Sequence, residues 1–180
     1  MACKKKNIYI LLTNFHDGGS KLLHFITGTK YTHASIGFEE DINTFYSFVY
    51  KGFLVEKISK YIKPSTRSCD CCLYRLSVRK RVYNAAKRAV EIFVNLKNRL
   101  KYTKFGVVMC VMKIPYKKNS CYFCSQFVAD ILKKSKAAKL EKESALYLPS
   151  DFESIDGIQL NFQGSLHSFA RHYGISDAAA

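Results

Sequence analysis

The chain has 180 residues, of which 48% are apolar, and a formal net charge of +15. This content excludes a disordered chain and can bury one core, so we expect a single domain over residues 1–180. No apolar run reaches the ~18–20 residues of a transmembrane segment, and no export signal is evident, so a cytoplasmic location is expected. The charge favours an anionic partner or surface, or simply a solvated exterior, and no motif predicts specific nucleic-acid binding.

The first half of the chain reads mainly as strands. Residues 5–12 form a dense apolar run that predicts a central strand. Residues 32–39 alternate, with His33 on the face opposite the aliphatic side chains, and a turn is expected at 39–41. The other predicted elements here are a helix at 20–27, strands at 44–55 and 71–78, and a loop at 64–68.

Helical spacing dominates the second half. Apolar residues recur every three or four positions over residues 82–100, which predicts the longest helix. Asn119 or Ser120 is expected to cap another helix that runs to about Lys134. Residues 102–112 are apolar and fit either a helix or a strand. The remaining predictions are a turn into a short helix at 148–152 and a late strand at 158–162.

Two cysteines, Cys121 and Cys124, fall in the expected first turn of the helix that ends near Lys134. The helix N-terminus stabilises a thiolate through its partial positive charge, and its free N–H groups can receive an oxyanion. A cysteine nucleophile also needs a nearby imidazole as its base, and His33 is the candidate for that role. A hairpin that turns at 39–41 would place His33 opposite Ser47, whose hydroxyl would orient the ring.

The same residues also fit a purely structural interpretation. Cys124 shares its helix face with Val128 and Ile131, a spacing that is typical of a small core residue. A single histidine on a strand most often lies at the surface.

Three segments resemble the circularly permuted papain-like cysteine hydrolases of the NlpC-type, YiiX-like superfamily, especially its short cytosolic bacterial members. They are Thr-His-Ala-Ser-Ile-Gly at 32–37, Phe-Tyr-Ser-Phe at 45–48 and Tyr-Phe-Cys-Ser-Gln-Phe-Val-Ala at 122–129. In that superfamily the histidine strand precedes the cysteine helix, and a cysteine followed by serine matches Cys124 rather than Cys121. The likeness extends to Leu-Pro-Ser-Asp-Phe at 148–152 and Gly-Ser-Leu at 164–166, so it spans most of the chain.

The resemblance implies an α+β, permuted papain-like fold in which an antiparallel sheet packs against helices. It implies a peptidase or amidase that needs no cofactor or metal, with Cys124 as nucleophile, His33 as base and an acyl-enzyme intermediate. By position the third polar residue is Ser47, where relatives often carry Glu, Asn or His. Tyr102 and Ser125 are implied as supports of the oxyanion site.

Four alternatives stay open from the sequence. A lipid acyltransferase or thioesterase, similar to lecithin–retinol acyltransferase, would act on a lipid acyl substrate at an anionic surface. A non-catalytic binding module would retain the fold, an interpretation that serine at position 47 favours. Two Cys-x-x-Cys pairs are present, Cys69 with Cys72 and Cys121 with Cys124. Together they have the internal spacing of a four-thiolate zinc site. The second pair alone has the spacing of a redox pair.

Overall fold

The computed structural model describes residues 5–14, 28, 30–62 and 69–176. The predicted helix at 20–27 and the predicted loop at 64–68 lie outside these residues.

Six strands form one sheet, and every neighbouring pair in it is antiparallel. In chain order these strands are β1 (Lys5–Thr13), β2 (His33–Phe38), β3 (Asp41–Val49), β4 (Gly52–Lys57), β5 (Asp70–Arg79) and β8 (Ile158–Ser165). Their order across the sheet is β4-β3-β2-β1-β5-β8. Two short strands, β6 (Lys101–Tyr102) and β7 (Cys121–Tyr122), form a separate parallel pair.

Four α-helices are described, together with four short 3₁₀ segments. The helices are α1 (Lys80–Asn95), α2 (Lys104–Val111), α3 (Cys124–Ser135) and α4 (Leu166–His172). The 3₁₀ segments are Ile58–Tyr61, Lys97–Arg99, Ser144–Leu146 and Pro149–Ser154. Within the described ranges, no helix combines the length and the apolar character required to cross a bilayer.

The sheet has a hydrophobic core on each face, as the alternation of β1 requires. Ile8, Ile10 and Leu12 join the first core, to which α1 and α3 contribute most of the helical side chains. Leu11 joins the second core with residues of β3, β5 and α4. The predicted α+β class, an antiparallel sheet packed against helices, is therefore confirmed.

The strand predicted at 44–55 is two strands, because the chain turns at Tyr50 and Lys51. Gly52, which lies inside that run, opens β4 with a φ of 110°, a conformation that suits glycine. The run therefore folds into a hairpin, and β4 extends to Lys57, beyond the predicted end.

The start of the cysteine helix also differs from the prediction. α3 begins at Cys124, so neither Asn119 nor Ser120 caps it. Ser120 has a left-handed φ of 59°, and Cys121 pairs with Lys101 in the β6–β7 ladder. Cys121 therefore precedes the helix, and Cys124 alone of the two cysteines lies in its first turn.

Candidate active site

His33 is the first residue of β2, at the end of the strand that lies beside Thr13 of β1. Its side chain is only 8% exposed. Because all six residues of β2 are buried, the imidazole lies inside the protein rather than on a solvated strand face. A buried imidazole needs polar partners, and the fold supplies two.

The first partner of His33 is Glu56, near the end of β4. The Nε2 atom of His33 lies 2.7 Å from the Oε1 atom of Glu56, and the carboxylate side chain is 1% exposed. Glu56 pairs with Phe45 of β3, and β3 lies between β4 and β2 in the sheet. The pairing of imidazole and carboxylate fixes the ring orientation and leaves Nδ1 as the other ring nitrogen.

The second partner is Cys124, at the N-terminus of α3. Its side chain hydrogen-bonds with that of His33, and its sulfur also accepts from the backbone N–H groups of Ala34 and Ser125. α3 packs on β2 and β3, which brings its first turn to the beginning of β2. A sulfur, an imidazole and a carboxylate from three separate elements therefore stand in one hydrogen-bonded row.

Each charged group of this row stabilises the charged form of its neighbour. Burial opposes a charged imidazole, but the Glu56 carboxylate and the contact with Cys124 outweigh it and raise the pKa of His33 to about 10. Burial also raises the pKa of a thiol, yet the hydrogen bond and positive charge of His33 lower the pKa of Cys124 below its ordinary value. A thiolate beside an imidazolium is the favoured protonation state.

The pKa values of other buried thiols are shifted in the opposite direction. Burial raises the pKa of Cys69 to about 11 and the pKa values of Cys71 and Cys110 to about 12. Among the residues that the structure describes, none of these three thiols has a cationic partner comparable to His33. The lowered pKa of Cys124 thus reflects its particular surroundings rather than burial.

Ser47 does not orient His33 in this structure. Its hydroxyl donates to the backbone carbonyl of Ala34 at 2.6 Å. The hairpin register differs from the predicted one, because Ile36 pairs with Tyr46 and an irregularity lies between Gly37 and Phe38. The carboxylate of Glu56, which the sequence analysis did not single out, contacts the His33 ring instead.

Tyr102 and Ser125 lie near the helix start in different ways. Ser125 is buried, and its backbone N–H contacts the Cys124 sulfur. Tyr102 belongs to β6, pairs with Tyr122 and packs against the first core. The strand β6 therefore borders the segment leading into α3, and the ring of Tyr102 lies against apolar neighbours.

Three buried polar atoms around the site have no hydrogen-bond partner among the described residues. They are Thr13 Oγ1, Thr32 Oγ1 and Gln126 Oε1. Thr13 lies directly opposite His33 in the β1–β2 pairing, and Gln126 lies in the first turn of α3. Buried polar atoms normally find partners, so these atoms are available to a bound group or a water molecule.

The cysteine pairs do not assemble into a metal site in the part of the chain that the structure describes. No group of three or more His, Cys, Asp or Glu residues there is arranged to hold a metal ion. Cys69, Cys72, Cys121 and Cys124 are all free thiols. The four-thiolate alternative and the Cys121–Cys124 redox pair gain no support from this geometry.

Comparison with known proteins adds no assignment to this geometry. No protein-family model matches the chain, and no curated protein sequence matches it.

Proposed function

We propose that the protein is a cysteine hydrolase that transfers an acyl group from an amide or ester to water. The observation that carries this proposal is the buried row formed by Cys124, His33 and Glu56, with 2.7 Å between His33 Nε2 and Glu56 Oε1. Its order of thiol, imidazole and carboxylate is the arrangement by which thiol enzymes activate a nucleophile. Cytoplasmic conditions would keep its free thiols reduced.

The first half of the proposed reaction forms an acyl-enzyme. The Cys124 thiolate attacks the carbonyl carbon of the substrate, and the N–H groups at the start of α3 stabilise the negative charge on the oxygen. His33, protonated at the outset, gives its proton to the departing amine or alcohol as the carbonyl re-forms. Glu56 acts through His33 as a positioning residue, since its carboxylate stabilises the imidazolium.

The second half regenerates the enzyme. Neutral His33 takes a proton from water, the hydroxide adds to the thioester carbon, and the Cys124 sulfur leaves as thiolate. The products are a carboxylic acid and the ion pair present at the start. The hydroxyls of Thr13 and Thr32, which have no hydrogen-bond partner among the described residues, are candidates to hydrogen-bond the substrate beside His33.

Membership of the permuted papain-like superfamily is proposed on the same grounds. The histidine strand precedes the cysteine helix, the helix packs on an antiparallel sheet, and Glu56 supplies a residue type that relatives use at the third position. A peptide or amide is the first substrate class to test. A lipid acyl ester is the second, and the apolar residues Phe105, Val108 and Met112, exposed on α2 and just after it, favour it.

The decisive experiment measures iodoacetamide alkylation against pH, with peptide mapping, on the wild type and on matched variants. We expect Cys124 to label well below the ordinary thiol pKa of 9.0, ahead of Cys69, Cys71 and Cys110. Glu56→Gln should shift the Cys124 profile to higher pH by about one unit or more, because the imidazolium loses its carboxylate. Ser47→Ala is the control and should leave the profile unchanged.

Acyl transfer itself is tested by incubating the protein with an activated aryl ester and searching for an acyl adduct on Cys124 by mass spectrometry. His33→Ala should lower turnover by roughly 10²–10⁴-fold. Labelling of Cys124 only at ordinary thiol pH, without an adduct and without any effect of Glu56→Gln, would instead support a non-catalytic binding module.

A further inference from the structure

The helix α2 is apolar on both its inner and its outer side. Gly106 and Cys110 are buried on the inner side. Phe105, Val108 and Met112 recur at the spacing of one helix face and are exposed. A helix that is apolar all round normally lies inside a structure, yet no described part of the chain covers this outer face.

Exposed apolar residues in the neighbouring segments enlarge this outer face. We call Tyr50, Phe105, Val108, Met112 and Ile114 the α2 surface; their exposed fractions run from 42% to 73%. Lys104 Nζ lies 4.3 Å from the ring centre of Tyr50, which joins the β3–β4 turn to the helix. Phe105 contacts Tyr116 edge to face at 4.9 Å, which joins the helix to the segment after it.

The segment that carries most of the α2 surface is strongly basic. Residues 97–120 contain seven Lys and Arg residues and no Asp or Glu: Lys97, Arg99, Lys101, Lys104, Lys113, Lys117 and Lys118. Within the described ranges only Lys117 has an acidic partner, Glu143 at 3.0 Å. The other six cations have no carboxylate to neutralise them in that part of the chain, so the patch presents apolar side chains inside a positive field.

We propose that the α2 surface docks on an anionic lipid bilayer, with the apolar side chains in the headgroup region and the lysines on lipid phosphates. Apolar residues beside lysines are the composition of helices that lie in a membrane interface without crossing it. A second copy of the chain is a poorer occupant, because two such basic faces would repel each other. This docking does not depend on the chemistry of Cys124.

Docking there would hold the buried thiol close to the lipid headgroups. The N–H of Thr103, the residue before α2, donates to the carbonyl of Tyr122, and Gly106 packs near Phe123. Phe123 immediately precedes Cys124. The helix α2 and the short segment at the start of α3 therefore lie between the α2 surface and the candidate active site.

The test is co-sedimentation of the full chain with vesicles of phosphatidylcholine alone and with vesicles of phosphatidylcholine and phosphatidylglycerol in equal parts. We expect binding to the anionic vesicles only. The triple variant Phe105→Ser, Val108→Ser and Met112→Ser should weaken it by about tenfold or more, because the inserted apolar area is lost. Lys104→Glu with Lys113→Glu should weaken it similarly and reduce its dependence on salt.

Matched controls lie elsewhere on the exterior. Ile92 of α1 and Leu160 of β8 are 58% and 55% exposed, so Ile92→Ser with Leu160→Ser should leave vesicle binding unchanged. Lys80→Glu with Arg88→Glu, both exposed on α1, is the charge control. Since every substituted side chain is exposed, circular dichroism should show the same fold in all variants.

Three outcomes would overturn the proposal. One is a wild type that does not bind the anionic vesicles. Another is a triple variant that binds as well as the wild type, which would reduce the effect to general attraction by the positive charge. The third is a dimer in sedimentation velocity that the triple variant abolishes, which would make a second copy of the chain the occupant of the α2 surface.

Discussion

His33 and Glu56 form an ion pair that is almost completely removed from water. Desolvating two charges costs several kcal/mol per ion, and a hydrophobic pair of similar volume is often equally stable or more so. Stability alone therefore gives little reason for this pair. The effect of the pair is on the neighbouring sulfur, because the Glu56 carboxylate keeps a positive charge on the His33 ring that contacts Cys124.

The pH dependence of stability should reveal the thiolate–imidazolium pair. The stabilising contribution of His33 is complete below its ordinary pKa of 6.5 and disappears as the pH rises through about 10. The contribution of Cys124 is complete above its ordinary pKa of 9.0 and disappears as the pH falls through its lowered pKa. Between 6.5 and 9.0, and above the lowered pKa of Cys124, the folded and unfolded pairs each hold one proton, so their contribution is flat.

The variant Cys124→Ser should lose this flat region, because only His33 then titrates. Its free energy of unfolding should fall relative to the wild type over the part of the range from pH 6.5 to 9.0 that lies above the lowered pKa of Cys124, by at most about 1.4 kcal/mol per pH unit. Urea unfolding at several pH values measures the difference, with Cys121→Ser as the matched variant. A constant difference between wild type and Cys124→Ser across that window would contradict the ion pair.

The residues of the site differ in how far the sequence could reveal them. Cys124 and His33 stand in segments whose local pattern is informative, a helix start and an alternating strand. The local pattern around Glu56 is not informative, because its position depends on the β3–β4 hairpin. The sequence from 44 to 55 is β-rich throughout and does not reveal the turn at Tyr50 and Lys51. A sequence signal does exist: a carboxylate inside the apolar run that follows Gly52 is unusual for a buried strand.

At the scale of elements, the start of α3 depends on its neighbour α2. Phe123 precedes Cys124 and makes no side-chain cap, so packing rather than capping fixes where the helix begins. A Cβ on Gly106 would lie 2.7 Å from Thr103 Cγ2 and 3.3 Å from Phe123 Cδ1. The absence of a side chain at Gly106 allows α2 to approach the segment that leads into Cys124, the candidate nucleophile.

Gly106→Ala should lower the stability of the protein despite the better helix propensity of alanine. The gain is about 1 kcal/mol, whereas crowding of a packed site costs roughly 1–3 kcal/mol. Adding Thr103→Ser removes the Cγ2 atom but keeps the hydroxyl that accepts from the Gly106 N–H at 2.9 Å. Thermal unfolding should therefore show recovery in the double variant; equal losses in both would place the crowding at Phe123.

The periodicity of apolar residues predicted the elements that have long regular patterns. It did not predict elements whose bounds depend on contacts between residues distant in sequence. The strand at 5–12 and the helix at 82–100 correspond to β1 and α1, with the helix ending five residues early. The apolar run at 102–112 divides into β6 and α2, because Lys101 and Tyr102 pair with residues twenty positions later. A local pattern carries no information about that ladder.

At the scale of the molecule, β1 occupies the middle of the sheet. It pairs with β2 on one side and with β5 on the other along most of its length. Its side chains enter both cores, so it joins the two hydrophobic layers. Global stability should therefore depend most on β1 and least on the edge strands β4 and β8.

Ile10→Ala should cost roughly 2–5 kcal/mol, because Ile10 is fully buried in the first core. Leu160→Ala on the edge strand β8 should change stability by at most about 0.5 kcal/mol, since its side chain is 55% exposed. Chemical denaturation measures both. Similar losses in the two variants would contradict the central position of β1.

The three groups of the row come from β2, β4 and α3, and Cys124 lies far along the chain from the other two. During synthesis, His33 and Glu56 emerge long before Cys124, and the row closes only when α3 packs on β2. Until then Cys124 is an ordinary thiol, without the neighbour that lowers its pKa. In an unfinished or partly unfolded chain the pKa of Cys124 is therefore not lowered, and the reactivity of this single sulfur reports whether the molecule is folded.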